Sequence, residues 1–429
     1  MNRPVPGVDE SPDAEVAGTP VREEPAAENV AESPADSPQS PPGAWALWRP
    51  SVVAGACTWV AGLVLYVLAT VVAWFPVDGT QGVAPAPIGF RPILDSWAKW
   101  DTVWYVMIAE SGYQSDSRAA AFFPLYPMTV RVVRTVLFID TFPAAILVSL
   151  VCALVALILV HRFVSEAIDS AHARRTTWYL LAFPTGFYLV AAYNESMFIA
   201  LLVGSLYCMR RGHWWTAAVL AGFSGATRMI GVVLGLAFVY EYLRQRGFSL
   251  RKVGVEALAV TLIPVGLALY MLYLWNAFGD AMYFNEAQKA WFREGYQWPW
   301  TTVADTWELI ATSTSWLDPN TVRNMYNLLT VLIGLVFLVL ALVGPWKLGR
   351  ENAYLVIFSV FVIMLPVLSP IHSYYPLSSM VRYVLECLPI FMVLARMGRS
   401  PTFHQIFLTA TVGLQGVAIV SFVQDKFVG

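Results

Sequence analysis

Long apolar runs separated by short polar segments dominate this chain from about residue 46 onward. An α-helix needs roughly 20 mostly apolar residues to cross the hydrocarbon core of a bilayer. Candidate spans lie near 51–75, 142–160, 176–193, 196–209, 214–243, 254–275, 325–343, 353–369, 380–396 and 404–423. The pattern predicts an all-α fold, a polytopic integral membrane protein with about 10–12 transmembrane helices.

Two stretches depart from a simple span. The run 214–243 is interrupted by glycines and by Arg228, and irregular backbone at membrane depth is tolerated where it lines a cavity. We therefore expect two short helices that form a hairpin there. The stretch 121–138 carries two prolines and two arginines, and it is expected to form an interfacial or re-entrant element.

Composition supports a membrane protein and excludes other classes. Hydrophobic residues make up 57% of the 429 residues and charged residues only 13%, with a mean hydropathy of +0.58. A net charge of −2 offers no basic surface, so nucleic-acid binding is not expected. The four cysteines show no spacing typical of zinc sites or disulfide frameworks.

The first 45 residues differ from the rest. They are rich in Pro, Glu, Asp, Ala and Ser and have no aromatic residue before Trp45, so they cannot bury enough apolar surface to fold. We expect residues 1–45 to be a disordered acidic tail and residues 46–429 to be the polytopic domain. Such a tail is not typical of a cleaved secretory signal, and the run 51–75 is expected to act as an uncleaved signal anchor.

Basic residues cluster in short loops, and such loops usually face the cytoplasm. With the hairpin in place, alternation puts all the clusters on one side; they are Arg162, Arg174 and Arg175, Arg210 and Arg211, Arg244, Arg246, Arg251 and Lys252, Lys347 and Arg350, and Arg396 and Arg399. This predicts a multi-pass protein of the cell membrane with a cytoplasmic N-terminus. Segments 77–120, 193–196, 276–322 and 370–379, with the turn at residue 228, then face outward.

The outward segment 91–113 places one carboxylate among aromatic rings. At helical spacing Asp101 shares a face with Trp97, Trp104, Tyr105 and Ile108. Sugar rings stack on indoles, and a sheltered carboxylate can take a proton from a hydroxyl. The same pattern is also typical of an interfacial helix whose tryptophans lie at the headgroups.

A second polar group stands between two apolar runs at Tyr193-Asn194-Glu195-Ser196. Asn194 can cap the following helix, and Glu195 complements the positive helix N-terminus. Alternatively, Glu195 accepts hydrogen bonds from sugar hydroxyls.

Two arginines are expected at the outer leaflet. A cation at membrane depth is costly, and it usually pairs with an anion or lines a wet cavity. Arg228 and Arg382 could together hold a phosphate; alternatively, each pairs with a carboxylate such as Glu386, one turn from Arg382. His372, in the outer segment before Arg382, is a further candidate ligand.

The loop 276–322 carries Gln288 and Trp291 and then Trp298 and Trp300. It could lie as a lid over a lipid-linked substrate, or it could anchor the protein at the headgroups without chemistry.

Taken in order, these segments resemble the PIG-V family of mannosyltransferases, which belongs to the GT-C class of polytopic glycosyltransferases. The matching pieces run from about residue 95 to 395: Trp100-Asp101 with Gly112-Tyr113 and Phe122-Phe123-Pro124-x-x-Pro127, Phe183-Pro184 to Tyr193-x-Glu195-Ser196, Thr227-Arg228 with Gly231, Ala287-Gln288 with Trp291, and Met380-x-Arg382-Tyr383 with Pro389.

The resemblance implies transfer of mannose from a polyprenyl-phosphate-mannose donor to a glycolipid or glycoprotein acceptor on the outer face of the membrane. In such enzymes an acidic residue of the first outer loop is the base, which here is Asp101. The Arg-, Ala- and Val-rich composition favours a bacterial member of the family.

We therefore expect an inverting transfer in which Asp101 deprotonates the acceptor hydroxyl. The donor phosphate would meet Arg228 and Arg382, and Glu195 would orient sugar hydroxyls. Further expected substrate ligands are Trp100, Trp104, Tyr105, Tyr193, Gln288, Trp291 and His372. No cofactor or metal is expected, because no acidic cluster with metal-ligand spacing accompanies Asp101.

Two other functions fit part of the pattern. A flippase or transporter of lipid-linked sugars would also use intramembrane arginines and broken helices, although no repeat between the two halves is visible. A non-catalytic subunit of a glycosylation complex is the third reading.

Overall fold

The computed structural model describes residues 43–73, 89–293 and 295–428. The predicted tail, residues 1–45, lies outside the described residues except for its last three positions. The described α-helices are α1 (Ala44–Ala73), α2 (Phe90–Asp95), α3 (Asp101–Ser111), α4 (Leu125–Leu137), α5 (Thr141–Ala167), α6 (Ser170–Leu181), α7 (Glu195–Arg210), α8 (Trp214–Thr227), α9 (Leu234–Gln245), α10 (Val265–Phe278), α11 (Tyr283–Gln288), α12 (Pro299–Ala311), α13 (Pro319–Leu342), α14 (Ala353–Leu368), α15 (Met380–Tyr383), α16 (Leu388–Met397) and α17 (Pro401–Val423).

Short 3₁₀ helices connect several of these elements. They lie at Ser117–Ala121, Gly186–Leu189, Met229–Val233, Leu250–Lys252, Val255–Leu262, Lys289–Trp291, Arg350–Asn352 and Val384–Glu386. Between residues 43 and 428, leaving aside 74–88 and 294, no β-strand is present.

The predicted fold class, an all-α polytopic membrane protein, is confirmed. Within the described residues, six helical stretches are long and apolar enough to cross a membrane: Trp45–Ala73, Thr141–Ala167, Val255–Phe278, Pro319–Leu342, Arg350–Leu368 and Pro401–Val423. This is fewer than the predicted 10–12, because the predicted spans 176–193, 196–209, 214–243 and 380–396 are short or broken helices.

The broken helices lie in the interior of the protein. α7 is apolar on nearly every face and packs against α5 and α8, while α6 packs against α16. A helix that is hydrophobic all round is normally buried, and neighbouring helices can satisfy the backbone groups that a break leaves free. By contrast, α1 and α13 carry exposed valines and leucines along their length, as lipid-facing helices do.

The hairpin predicted for 214–243 is confirmed. α8 ends at Thr227, a 3₁₀ turn follows, and α9 returns along α8, so that the ring of Tyr242 lies 4.9 Å from that of Trp214. The turn depends on Gly231, because a Cβ there would lie 2.4 Å from the carbonyl carbon of Ser224. Gly266 of α10 allows an equally close approach, since its Cβ would lie 1.9 Å from the Gly222 oxygen.

The stretch 121–138 forms a separate short helix rather than a span. α4 buries Tyr126 and Val130 and leaves Val132 and Val136 exposed. Arg131 joins α4 to α3, because its Nε donates a hydrogen bond to the Ala109 oxygen at 2.6 Å. The helix is amphipathic, as expected, and its interfacial position stays a prediction.

A buried acidic group lies near the C-terminal end of α9. Glu241 has no exposed surface, and it accepts hydrogen bonds from Arg244 Nε at 2.6 Å, Arg244 Nη2 at 2.7 Å and Gln245 Nε2 at 2.7 Å. We call these three residues the Glu241 cluster. Both carboxylate oxygens are bonded, and both partner residues belong to the same helix as Glu241.

Candidate active site

A cavity of about 820 Å³ opens where four distant segments of the chain meet. These segments are the start of α3, the break between α8 and α9, residues 284–296, and residues 378–386. From these segments the lining includes Trp100, Asp101, Trp104, Tyr105, Arg228, Met229, Ile230, Gln288, Trp291, Phe292, Arg382, Tyr383 and Glu386. It also includes Phe122, Asn194, Val362, Leu365, Pro366 and Phe427 from other parts of the chain.

Five charged side chains form an alternating series at this cavity, which we call the ion chain. Asp101 Oδ2 lies 2.9 Å from Arg382 Nη1, and Arg382 Nε lies 3.1 Å from Glu195 Oε1. The same Glu195 oxygen lies 3.3 Å from Arg228 Nη1, which in turn lies 2.7 Å from Glu386 Oε1. Three carboxylates thus accompany two guanidinium groups.

The members of the ion chain differ in their access to solvent. The side chain of Asp101 is 23% exposed, whereas those of Glu195 and Glu386 are each 1% exposed. A buried charge is tolerated only when it is paired and hydrogen-bonded. Glu195 nevertheless keeps one oxygen, Oε2, without a hydrogen-bond partner among the described residues.

Local backbone geometry sets the position of Asp101. Trp100 adopts a positive φ of 54°, and α3 begins directly after it with Asp101 in its first turn. The Asp101 amide donates a hydrogen bond to the Tyr193 hydroxyl at 3.2 Å, and that hydroxyl donates to the Lys99 oxygen at 3.3 Å. The carboxylate therefore stands at the positive end of a short helix.

The two arginines are held by breaks in otherwise apolar helices. Arg228 is the residue that separates α8 from the following 3₁₀ turn, and it has an extended backbone. The Asn194 amide donates to the Thr227 oxygen at 3.0 Å and so satisfies a carbonyl at this break. The Arg382 guanidinium lies over the rings of Tyr188 and Tyr193, at 5.3 and 5.5 Å from their centroids.

Aromatic rings form one wall of the cavity beside Asp101. Trp104 stacks on Phe122 with ring centroids 5.6 Å apart, and Trp291 meets both rings edge-on at 5.2 and 5.4 Å. Burial raises the pKa of the Tyr105 phenol well above its usual range, and the carboxylate of Asp101 raises it further. Tyr105 therefore stays protonated. Such a wall suits the C–H face of a sugar ring.

The structure brings eight of the predicted site residues to the cavity and leaves three outside its lining. The eight are Trp100, Asp101, Trp104, Tyr105, Arg228, Gln288, Trp291 and Arg382. Tyr193 and Glu195 are buried behind the cavity surface, where each contacts residues that do line it. His372 is exposed and outside the lining, and its backbone amide donates to the Phe292 oxygen at 2.7 Å.

The expectation that Trp97 shares a helical face with Asp101 is wrong. The positive φ of Trp100 ends any regular helix before α3, so only residues from 101 onward follow helical spacing. Trp97 turns instead into the core, where its Nε1 donates to Thr70 Oγ1 at 3.1 Å and its ring meets that of Phe187.

Two predicted pairings also differ in the structure. The Asn194 side chain does not cap α7, because its amide is engaged by Thr227 across the cavity floor. Glu386 pairs with Arg228 rather than with Arg382. The residues between 384 and 386 form a 3₁₀ turn, so the α-helical spacing that would have joined positions 382 and 386 is interrupted.

Some residues that line the cavity are not among the functional residues predicted from the sequence. Glu386 is recognisable as an acidic residue within an apolar run, but the sequence indicated it only as a partner of Arg382. Phe122 lay within a matched motif without an assigned role. Phe427 gave no signal: it reaches the cavity because the chain after α17 folds back, and its ring lies 5.2 Å from that of Trp100.

The loop 276–322 divides into two parts. Most residues of 284–293, with Gly295 and Tyr296, line the cavity. Next to them, the Gln297 amide donates to the oxygen of Leu368, the last residue of α14, at 2.8 Å. Trp298 and Trp300 are exposed and stack on each other at 4.8 Å. Thus only the first part occupies the position of a lid.

Across the described residues, no group of three or more His, Cys, Asp or Glu side chains is arranged to hold a metal ion. The three acids of the ion chain are separated by guanidinium groups instead. Metal-independent chemistry stays a prediction.

Comparison with known proteins identifies relatives for part of the chain. Residues 90–285 match the mannosyltransferase (PIG-V) family. GPI mannosyltransferase 2 of Yarrowia lipolytica is 28% identical over 137 residues, which cover 31% of this chain and 38% of that protein. GPI alpha-1,6-mannosyltransferase 2 of Homo sapiens is 25% identical over 163 residues, covering 34% of this chain and 33% of that protein. The chain therefore spans well under half the length of these relatives.

Solved structures of similar shape include two membrane proteins. ArnT from Cupriavidus metallidurans bound to undecaprenyl phosphate is 17% identical, with a TM-score of 0.48 over 84% of this chain and 63% of that one. The Archaeoglobus fulgidus oligosaccharyltransferase in its apo form is 10% identical, with a TM-score of 0.43 over 86% and 56%.

The family match begins before α3 and ends within α11, so it contains Asp101, Glu195 and Arg228. Over residues 90–285 the chain is therefore related to the PIG-V mannosyltransferase family, as the motifs within that range predicted, while the predicted pieces at 287–291 and 380–389 lie outside the matched residues.

Proposed function

We propose that this protein is a glycosyltransferase of the GT-C class that transfers mannose from a polyprenyl-phosphate-mannose donor to an acceptor hydroxyl on the outer face of the cell membrane. The observation that carries the proposal is the meeting of Asp101, Arg228 and Arg382 at one cavity within a chain related to mannosyltransferases. Residues that lie far apart in the sequence supply a candidate base and two cations to one place.

The cavity has a suitable size and division of character. Ligand pockets commonly measure about 300–1,000 Å³, and this one measures about 820 Å³. Its lining combines charged members of the ion chain, the aromatic wall of Trp104, Phe122 and Trp291, and apolar side chains such as Ile230 and Leu365. We assign the sugar to the aromatic wall and the beginning of the polyprenyl tail to the apolar side chains.

The proposed reaction is a single displacement with inversion. The acceptor oxygen forms a bond to the anomeric carbon, while the bond from that carbon to the phosphate oxygen breaks. The proton of the acceptor hydroxyl passes to the Asp101 carboxylate. The electron pair of the broken bond remains on the polyprenyl phosphate, whose added negative charge is stabilised by Arg382 and Arg228.

The role proposed for Glu195 changes from that expected from the sequence. Its side chain is 1% exposed and contacts both guanidinium groups, so we assign it the positioning of the arginines rather than the binding of sugar hydroxyls. Tyr193 is likewise assigned to positioning, through its hydrogen bond with the Asp101 amide.

The acceptor is proposed only as a hydroxyl of a glycolipid or a glycoprotein. The two curated relatives are named for GPI mannosyl transfer, but this chain spans 38% and 33% of them. The outward orientation of the cavity and a cytoplasmic N-terminus belong to the same proposal, and they rest on the arginine-rich loops at the other ends of the helices.

The test is a reconstituted assay with radiolabelled polyprenyl-phosphate-mannose and membrane lipid extract in proteoliposomes. We expect label in an acceptor, an anomeric configuration opposite to that of the donor, and unchanged rates with EDTA. Movement of the labelled donor across the bilayer without incorporation would contradict transfer and support a flippase. Loss of activity with EDTA would contradict the metal-independent mechanism.

A further inference from the structure

Both guanidinium groups of the ion chain already pair with carboxylates where a donor phosphate would bind. Arg382 lies within ion-pair distance of Asp101 and Glu195, and Arg228 lies within ion-pair distance of Glu195 and Glu386. Each guanidinium group thus already has two carboxyl partners. A donor phosphate that binds Arg382 at Nη1 must therefore replace the carboxylate that is paired there.

Burial decides which carboxylate can leave. Releasing Glu195 or Glu386, each 1% exposed, would strand an unpaired charge in the interior, and breaking a buried pair typically costs about 3–5 kcal/mol. Asp101 is 23% exposed and stands in the first turn of α3. Once released, its carboxylate keeps both contact with water and the favourable field of the helix N-terminus.

Arg382 can change partners at Nη1 without moving. Its Nε lies 3.1 Å from the buried Glu195 oxygen, and its guanidinium lies over the rings of Tyr188 and Tyr193. These contacts do not involve Asp101. Only the Nη1 atom, which now contacts Asp101 Oδ2 at 2.9 Å, changes its anion.

We infer that Asp101 occupies the phosphate position in the unliganded protein, and that the phosphate of the donor displaces it from Arg382. This inference rests on the proposed function. Displacement leaves both oxygens of Asp101 available to receive the acceptor proton, so the base is freed only when the donor is present. The donor is then the first substrate to bind, and the base does not deprotonate an acceptor when no donor is present.

The same exchange also favours release of the product. After transfer, the proton from the acceptor resides on Asp101, and the neutral acid does not compete for Arg382. When that proton passes to water, the carboxylate regains its charge and again competes with the bound polyprenyl phosphate for Nη1. Asp101 therefore pairs with Arg382 before the donor binds, accepts the proton during transfer, and competes with the polyprenyl phosphate product afterwards.

The experiment measures binding of farnesyl phosphate, a short polyprenyl phosphate, to the detergent-solubilised full-length protein by titration calorimetry. Asp101→Asn removes the competing charge and keeps the side-chain shape. Since a partly exposed ion pair is lost on binding, we expect Asp101→Asn to bind the probe about fivefold more tightly than the wild type. The matched control, Glu241→Gln, removes a buried carboxylate that is outside the lining of the candidate-site cavity and should leave affinity unchanged.

A double-mutant cycle tests whether the gain in affinity of Asp101→Asn depends on Arg382. The double variant Asp101→Asn/Arg382→Gln should lose the gain in affinity, because the cation for which the two anions compete is absent. Asp101→Ala, checked by thermal melting, serves if Asp101→Asn does not fold.

The outcomes separate this inference from the proposed function. If wild type binds the probe and Arg382→Gln weakens it, while Asp101→Asn binds equally or more weakly than wild type, displacement is wrong and the transferase proposal stands. If Arg382→Gln binds as well as wild type, the phosphate position itself is wrong, and both proposals fall.

Discussion

Two buried carboxylates of this protein are equally hidden from solvent and yet have different surroundings. Glu241 bonds through both oxygens to Arg244 and Gln245, its neighbours on α9. Glu195 contacts two arginines that come from positions 33 and 187 residues further along the chain, and one of its oxygens has no hydrogen-bond partner among the described residues.

The comparison shows that burial of a charge does not by itself indicate function. The Glu241 cluster is local, fully satisfied and outside the lining of the cavity, which is what a structural ion pair requires. The ion chain is assembled over long sequence distances, carries excess negative charge and ends at a cavity. Unsatisfied and non-local charge is costly to maintain, and such a cost is typical of binding and catalytic sites.

The largest expected effect is a difference in the rate of mannose transfer between a variant of the ion chain and a variant of the Glu241 cluster. Asp101→Asn should lower the rate of mannose transfer about 10²–10⁴-fold, because a general base typically contributes that much. Glu241→Gln should leave the rate within about twofold, since distant sites act independently. Turnover of labelled donor by folded protein measures both. More than a tenth of the wild-type rate in Asp101→Asn would contradict its role as base.

The next effect compares the arginines of the two groups. Arg228→Gln leaves Glu195 and Glu386 short of a cation and should destabilise the protein by about 3–5 kcal/mol. Arg244→Gln should destabilise it less, because Gln245 still donates to Glu241.

Only the Arg228 change should weaken binding of farnesyl phosphate. Unfolding midpoints and calorimetric titrations on the same preparations measure the two quantities. Equal loss of binding in both arginine variants would indicate a general effect of instability and would remove the distinction between the groups.

A smaller effect tests the aromatic wall. Trp104→Ala removes the ring that stacks on Phe122, and aromatic stacking contributes about 0.5–1.5 kcal/mol, which corresponds to roughly a 2–10-fold rise in the KM for the donor. Trp104→Phe should recover most of the loss. Kinetics over a range of donor concentrations give the values, and an unchanged KM in Trp104→Ala would place the sugar elsewhere.

The smallest effect concerns the second part of the loop 276–322. Trp298 is exposed, stacks on Trp300 and does not line the cavity. Trp298→Ala should leave the transfer rate within about twofold, as exposed substitutions usually do. A loss as large as that of Trp104→Ala would show that this part of the loop also covers the substrate.

Much of the fold could be predicted from the chain because its signals are local. The long apolar runs and the basic loops between them identify most helices to within a few residues, and the glycines around Arg228 indicate the hairpin. The number of uninterrupted spans was overestimated, because hydropathy does not report where a buried helix breaks when its neighbours satisfy the free backbone groups.

Most residues of the candidate site could be predicted from the sequence, but the ion pairs between them could not. Asp101, Arg228 and Arg382 stand out as charges near or within apolar runs. Their partners do not, because the pairings of Glu195 with both arginines and of Glu386 with Arg228 join segments far apart in the sequence. Spacing rules misled at Trp97 and at Glu386, in each case because the helix that they assumed is interrupted.

By itself, then, the sequence determined the membrane class and the family resemblance. It also determined which charged side chains lie near or within apolar runs, where a charge is energetically costly. Only the tertiary structure decided that these charges pair with one another in a single series, that Glu195 lies behind the cavity, and that Asp101 alone of the three acids remains accessible. The reason is physical: hydropathy and helix propensity act over a few turns, whereas the pairing and burial of a charge depend on how helices from the whole chain pack together.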